Sequence, residues 1–186
     1  MTTIGDIIRE ELPAFMESTK KESLRVLEVG VLRNLDEEHR DGDGHSTLAF
    51  ARLLKAHHGS ELVGVDLNPG EAREAVDREG LGNLCTFHAG DSLKVMARMV
   101  AEKETFDVIY LDCDNSGSAT MREYLLALDL LRKPGLIMGD DMNTDHQEIR
   151  KGRVLIPYLC EEGVMFRLRE RHTPWDTRDI LIQEIR

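Results

Sequence analysis

Acids in this chain collect where short apolar runs end. Glu28 lies near the end of the run 25–29, Asp66 follows 62–65, and Asp91 lies just past 84–88. Asp112 follows 107–111, and the pair Asp140-Asp141 follows 136–138. A single acid at such a point usually marks only that the chain has reached water. Acids after five consecutive runs need a common explanation, because clustered negative charge is costly unless something positive or hydroxyl-rich fills the space between. Three occupants meet that requirement: a ribose diol, a cationic ligand or a divalent metal. Asp66 suits the diol, since it stands where ribose-reading acids occur in dinucleotide folds. Asp112 with Asp140-Asp141 suits a hard cation with oxygen ligands, Mg²⁺ or similar.

The elements that must bring these acids together follow from the pattern around them. The apolar runs are rich in Val, Ile and Leu and too short for helices, which suits strands buried on both faces. Helical patterns separate them. Asn68-Pro69-Gly70-Glu71 reads as a cap, a first-turn proline and a glutamate three residues after the cap. Asp91 or Ser92 caps a helix carrying Leu93, Met96 and Val100 on one face. Met121, Leu125 and Leu128 lead to Lys133-Pro134-Gly135, a stop signal. A further helix carries Ile4, Ile7, Ile8 and Leu12 within residues 1–21, and the last lies within 152–162. Strand and helix in alternation predict an α/β fold, a doubly wound and mostly parallel sheet. Its acids then share the rim at the carboxyl ends of the strands, where such folds bind ligands. Residues 164–169 and 179–184 read as strands joined only by HTPWDT and its neighbours, a hairpin that makes one of them antiparallel.

The loop after the first strand narrows the ligand. A dinucleotide fingerprint packs G-x-G-x-x-G into one turn to receive a pyrophosphate. Here Gly30 is separated from Gly42-Asp43-Gly44-His45-Ser46-Thr47 by an insert at 32–41, and the third glycine is missing. Glu28 and Asp43 would repel a pyrophosphate. A ligand bearing a sulfonium and an ammonium but no phosphate is the better electrostatic match, with the glycines allowing close backbone approach. An NAD-type oxidoreductase is disfavoured on the same grounds.

Glu28-Val29-Gly30-Val31, resumed at Gly42 to Thr47, resembles the E-x-G-x-G-x-G-x-S-T motif of class I S-adenosylmethionine-dependent methyltransferases. The likeness continues through GVDLNP, FHAGDS, FDVIYLDCD and LLRKPGLIMGDD, in the family's order and over nearly the whole chain. It implies a Rossmann-like seven-stranded sheet with one antiparallel strand in the C-terminal hairpin, the chain forming a single methyltransferase domain over 1–186. It also implies a donor site: Gly30 and Ser46 at the methionine end with Glu28 orienting the loop, Asp66 at the ribose hydroxyls, Asp91 and Ser92 beside the adenine, and Val31, Leu67 and Asp112 as further cofactor-binding residues. Within the family the pattern is closest to the metal-dependent O-methyltransferases of the catechol and caffeoyl-CoA type. That implies Asp112, Asp140 and Asp141 as ligands of Mg²⁺ and O-methylation of a small hydroxylated molecule. The chain departs from those relatives at Asn115, where many have a Lys or His able to take the substrate proton. Asp114 or His146 remains for that role. A catalytically inactive binding module is the alternative that the insert and Asn115 leave open.

Composition bounds the partners. With 186 residues and a net charge of −11 the chain lacks the basic footprint expected of a nucleic-acid binder. Arg150, Lys151 and Arg153 form a local basic cluster that reads as a solvated helix face. Three cysteines without CxxC pairing suit a reducing compartment, and neither a signal peptide nor a membrane span is apparent. A cytoplasmic protein follows as the expectation. The few segments outside the shared sheet that could cover a substrate predict an open site or one completed in a homodimer.

Overall fold

The computed structural model describes residues 2–35, 45–112 and 114–186. Most of the insert, Gly42 to Gly44 and Cys113 therefore lie outside the described residues. Thr3 opens the first helix, α1 (Ile4–Thr19), with a capping box: its hydroxyl accepts from the Asp6 N–H, and Asp6 accepts from the Thr3 N–H at 2.8 Å. The chain then alternates through β1 (Arg25–Val29), α2 (Ser46–Leu54), β2 (Glu61–Asp66), α3 (Gly70–Arg78) and β3 (Cys85–Ala89). It continues with α4 (Ser92–Ala101), β4 (Phe106–Leu111), α5 (Gly117–Leu130), β5 (Leu131–Gly139) and α6 (Lys151–Glu161). The hairpin β6 (Arg167–His172) and β7 (Thr177–Ile185) follows.

These strands form a seven-stranded sheet in the order β3-β2-β1-β4-β5-β7-β6. The first five in that order pair in parallel, and β7 runs antiparallel between β5 and β6. This is the Rossmann-like architecture that the alternation and the closing hairpin predict. Successive strand residues point to opposite faces. Val26, Leu62, Val108 and Leu136 pack with the helices α1, α2 and α3, whereas Leu27, Val63, Ile109 and Ile137 pack with α4, α5 and α6. Burial on both sides accounts for the unbroken apolar runs.

Register sets the rim. Backbone pairing runs one residue past the strands: Gly30 N–H donates to the Val65 carbonyl at 2.8 Å, Asp112 N–H to Val29 at 2.7 Å and Asp140 N–H to Leu111 at 3.0 Å. The strand-end residues are thus held on rigid backbone, side by side.

Two local expectations fail. α5 ends at Leu130, ahead of Lys133-Pro134-Gly135 as expected, but those three residues lie inside β5, which starts at Leu131 and not at Leu136. Phe106 pairs with Leu131 and Val108 with Leu136, so residues 132–135 oppose Asp107 alone. That bulge is where a strand tolerates a proline lacking an N–H. Nor does Asn68 cap α3: Pro69 stands at the cap position and no side chain caps the helix. The Asn68 N–H instead donates to Asp66.

Candidate functional site

Glu28 explains the interrupted glycine loop. It is fully buried, with Ser46 Oγ donating to its Oε1 at 2.6 Å and no partner on its Oε2. Ser46 opens α2, and next to it Thr47 Oγ1 accepts from the Leu32 N–H at 2.9 Å. The end of β1 and the start of α2 are therefore joined in space although the insert separates them in sequence. Burial pushes the Glu28 carboxyl up to about 8; the Ser46 and Thr47 hydroxyls pull it back, and the charges of Asp112 and Asp66 push it further. Gly30 turns the chain at φ 87°, a conformation that favours glycine.

Beyond this turn the segment 30–33 and the residues His45, Ser46 and Asp112 line a narrow cleft of about 10 Å³. Asp66 borders the same loop. Its Oδ2 accepts from the Val31 N–H at 3.2 Å and its Oδ1 from Asn68 N–H at 3.0 Å. A carboxylate offers about four acceptor positions, so capacity for a diol remains. Leu67 beside it is 74% exposed, an apolar side chain left uncovered at the rim. Asp91 and Ser92 are more committed. Asp91 caps α4 through the Lys94 N–H at 3.0 Å, and Ser92 Oγ donates to the buried Glu123 of α5 at 2.5 Å.

The acids at the ends of β4 and β5 do converge, but with company. Tyr110 donates its hydroxyl proton to Asp140 at 2.8 Å, and Asp141 N–H donates to Asp140 Oδ1 at 2.8 Å. Lys151 Nζ donates to Asp112 Oδ1 at 2.7 Å and stands 3.8 Å from Asp141. Arg171 lies 3.4 Å from both Asp140 and Asp141, and Arg178 3.6 Å from Asp141. The solvated face expected at Arg150, Lys151 and Arg153 is corrected here: the Lys151 side chain is 2% exposed. One sequence signal pointed to this. A cation in the first turn of a helix sits against the positive end of the helix dipole and needs a partner.

The two residues considered for proton removal form local turns. Asp114 Oδ1 accepts from the Ser116 N–H at 2.5 Å, and His146 Nδ1 accepts from the Glu148 and Ile149 N–H groups at 3.2 and 3.0 Å. Two donors on Nδ1 leave Nε2 as the nitrogen that carries the proton in the neutral ring of His146.

Comparison with known proteins decides the family. A family model described as a methyltransferase domain matches residues 42–142. The chain belongs to this family. Its fold is that of the class I S-adenosylmethionine-dependent methyltransferases, and solved structures of this kind superimpose on it. The O-methyltransferase from Bacillus cereus, in complex with SAH, aligns with a TM-score of 0.69 and 20% identity over 93% of this chain and 79% of its own. The O-methyltransferase TomG from Streptomyces achromogenes, in complex with SAM, gives 0.65 and 17% over 91% and 76%. Cofactor-bound Rv0187 from MTB gives 0.72 and 18% over 98% and 79%. No curated protein matches.

Against this family's requirements the residues divide. Those around the cleft fit the methyl donor: an unpartnered buried Glu28 oxygen beside it, a carboxylate with free acceptor positions in Asp66, and an uncovered apolar Leu67. The acids proposed for a metal do not fit one as they stand. Asp112, Asp140 and Asp141 already face Lys151, Arg171 and Arg178, and no group of three His, Cys, Asp or Glu able to hold a metal occurs among the described residues. None of the described helices is long and apolar enough to cross a membrane.

Proposed function

We propose that this methyltransferase transfers a methyl group from S-adenosylmethionine to a hydroxyl of a small molecule. The observation that carries the reading is the join between Glu28 and Ser46, which restores the family's donor loop across the insert. When bound, the donor supplies an electrophilic methyl on a positively charged sulfur. Asp66 would accept the ribose hydroxyls in charge-assisted hydrogen bonds, and Leu67 would lie against the adenine, with Asp91 and Ser92 supporting that end through α4. Gly30, Val31 and Ser46 would border the methionine end, with Asp112 at the edge nearest the acceptor. Binding without phosphate contacts matches a loop that carries Asp43.

The acceptor hydroxyl must lose its proton as the methyl is transferred. We assign that proton to Asp114, which keeps a second carboxylate oxygen beyond the one used in its turn, and give His146 the part of a hydrogen-bond donor to the acceptor. The O-methyltransferase names of the Bacillus cereus and Streptomyces achromogenes structures support oxygen as the acceptor atom.

Calorimetry with S-adenosylmethionine, S-adenosylhomocysteine and NAD tests the donor, and methyl transfer across a panel of small hydroxylated compounds tests the reaction. Binding of the two sulfur nucleosides without NAD is expected. Asp66→Ala should weaken them roughly ten- to hundredfold, the value of about 1.5–3 kcal/mol for a hydrogen bond to a charged group. Binding of NAD alone would refute the assignment, and donor binding without turnover would favour a module that has lost catalysis.

A further inference from the structure

The acids at the ends of β4 and β5 are met by fixed cations. Asp112, Asp140 and Asp141 are opposed by Lys151 from α6, Arg171 from β6 and Arg178 from β7, with Arg178 held more closely, at 2.7 Å, by Asp176. Lys151 is the central member. Its ammonium bonds Asp112 at 2.7 Å and approaches Asp141 at 3.8 Å, bridging the acid at the end of β4 to one at the end of β5. A bridging divalent ion would have to take that position.

The location of Lys151 is built into the backbone around it. The Arg150 N–H donates to the Asn115 carbonyl at 2.8 Å. Gly117, at the start of α5, has no room for a Cβ against Val154 and the Arg150 carbonyl. Gly152 has none against the backbone of Met142 and Asn143. The first turn of α6 is therefore clamped between the segments that follow β4 and β5, and the residue between Arg150 and Gly152 can only enter the space between their acids.

We propose that the Lys151 ammonium is a built-in replacement for a divalent cation, and that this chain takes up no metal at Asp112, Asp140 and Asp141. Lys151 is then a positioning residue: it holds the carboxylates of β4 and β5 in one arrangement at the edge of the donor cleft. This deepens the reading above and rests on it only in saying that methyl transfer runs without a metal. The occupancy of the rim stands independently of it.

Mn²⁺ is the probe, followed by its electron paramagnetic resonance signal and by calorimetry. The wild-type chain should leave Mn²⁺ free up to millimolar concentration, and chelator should leave its thermal unfolding unchanged. Lys151→Ala and Lys151→Met leave Asp112 without its counter-ion and remove one of the cations facing Asp141, so each should bind one Mn²⁺ at least roughly tenfold tighter than wild type, because carboxylate charge sets divalent affinity. Lys151→Arg should stay free of Mn²⁺. Stoichiometric Mn²⁺ on the wild type overturns the proposal, and so do folded Lys151→Ala and Lys151→Met chains that remain free of it. A purely structural lysine would not create a Mn²⁺ site on removal. Calorimetry with S-adenosylhomocysteine on the same samples separates this outcome from failure of the donor assignment: lost nucleoside binding by the wild type sinks that assignment alone.

Discussion

Glu28 shows how a single side chain can be costly and retained. Its ordinary pKa is near 4.5, and burial raises it to about 8 in the folded chain. Below pH 4.5 both states hold the proton, so the group is neutral to stability. As pH rises from there, the unfolded chain releases the proton while the folded chain keeps it, and stability falls until the folded group ionises near 8. Glu28→Gln keeps a polar group beside Ser46 and cannot ionise. Urea unfolding at pH 5 and pH 9 should show the wild type losing more stability across that interval than the variant; equal losses would mean that Glu28 titrates normally. Lys151 carries the complementary lesson. Its neighbours in sequence, Arg150 and Arg153, are exposed, so composition alone made a solvated patch of all three. Only its pairing with Asp112 distinguishes it.

At the level of elements, α6 is the piece that sequence pattern treated least well. Its extent within 152–162 was close to the observed Lys151–Glu161, but periodicity has no information on how near its first turn comes to the loop after β5. Gly152 decides that distance. In an open helix Gly→Ala gains about 1 kcal/mol from propensity. Here the new Cβ would overlap the Met142 carbonyl, and backbone atoms cannot swing aside as a side chain can. Overpacking of that kind costs about 1–3 kcal/mol, so Gly152→Ala should be a net loss, read as a lower urea midpoint. A variant as stable as wild type would remove the clamp around Lys151. In β5 the misreading had a different cause. Pro134 and Gly135 are turn residues by composition, and the bulge opposite Asp107 that admits them exists only once β4 lies alongside.

For the whole molecule, the parallel sheet turns scattered acids into one edge. The alternation of runs and helices was enough to predict that edge, because parallel strands joined by helices must all end on the same side. If the edge binds the donor, the benefit should appear in global stability. Nucleoside at about a hundred times its dissociation constant adds about 2.7 kcal/mol, a rise of roughly 5–10 °C in midpoint for a chain of this size. Differential scanning calorimetry should register that rise with S-adenosylhomocysteine and none with NAD at equal concentration. The same shift with both ligands would indicate nonspecific stabilisation.

The amino-acid order by itself determined the alternating sheet, the antiparallel hairpin and the row of strand-end acids, since each follows from periodicity and chain direction. It did not determine what stands opposite those acids. A ribose, a ligand cation and a metal were the occupants that sequence offered, and the folded chain adds its own ammonium and guanidinium groups from α6, β6 and β7. Charge pairing between residues some thirty to forty positions apart depends on distances of a few ångströms. Those distances are set by how a helix and a hairpin close against the sheet, and no local pattern encodes them.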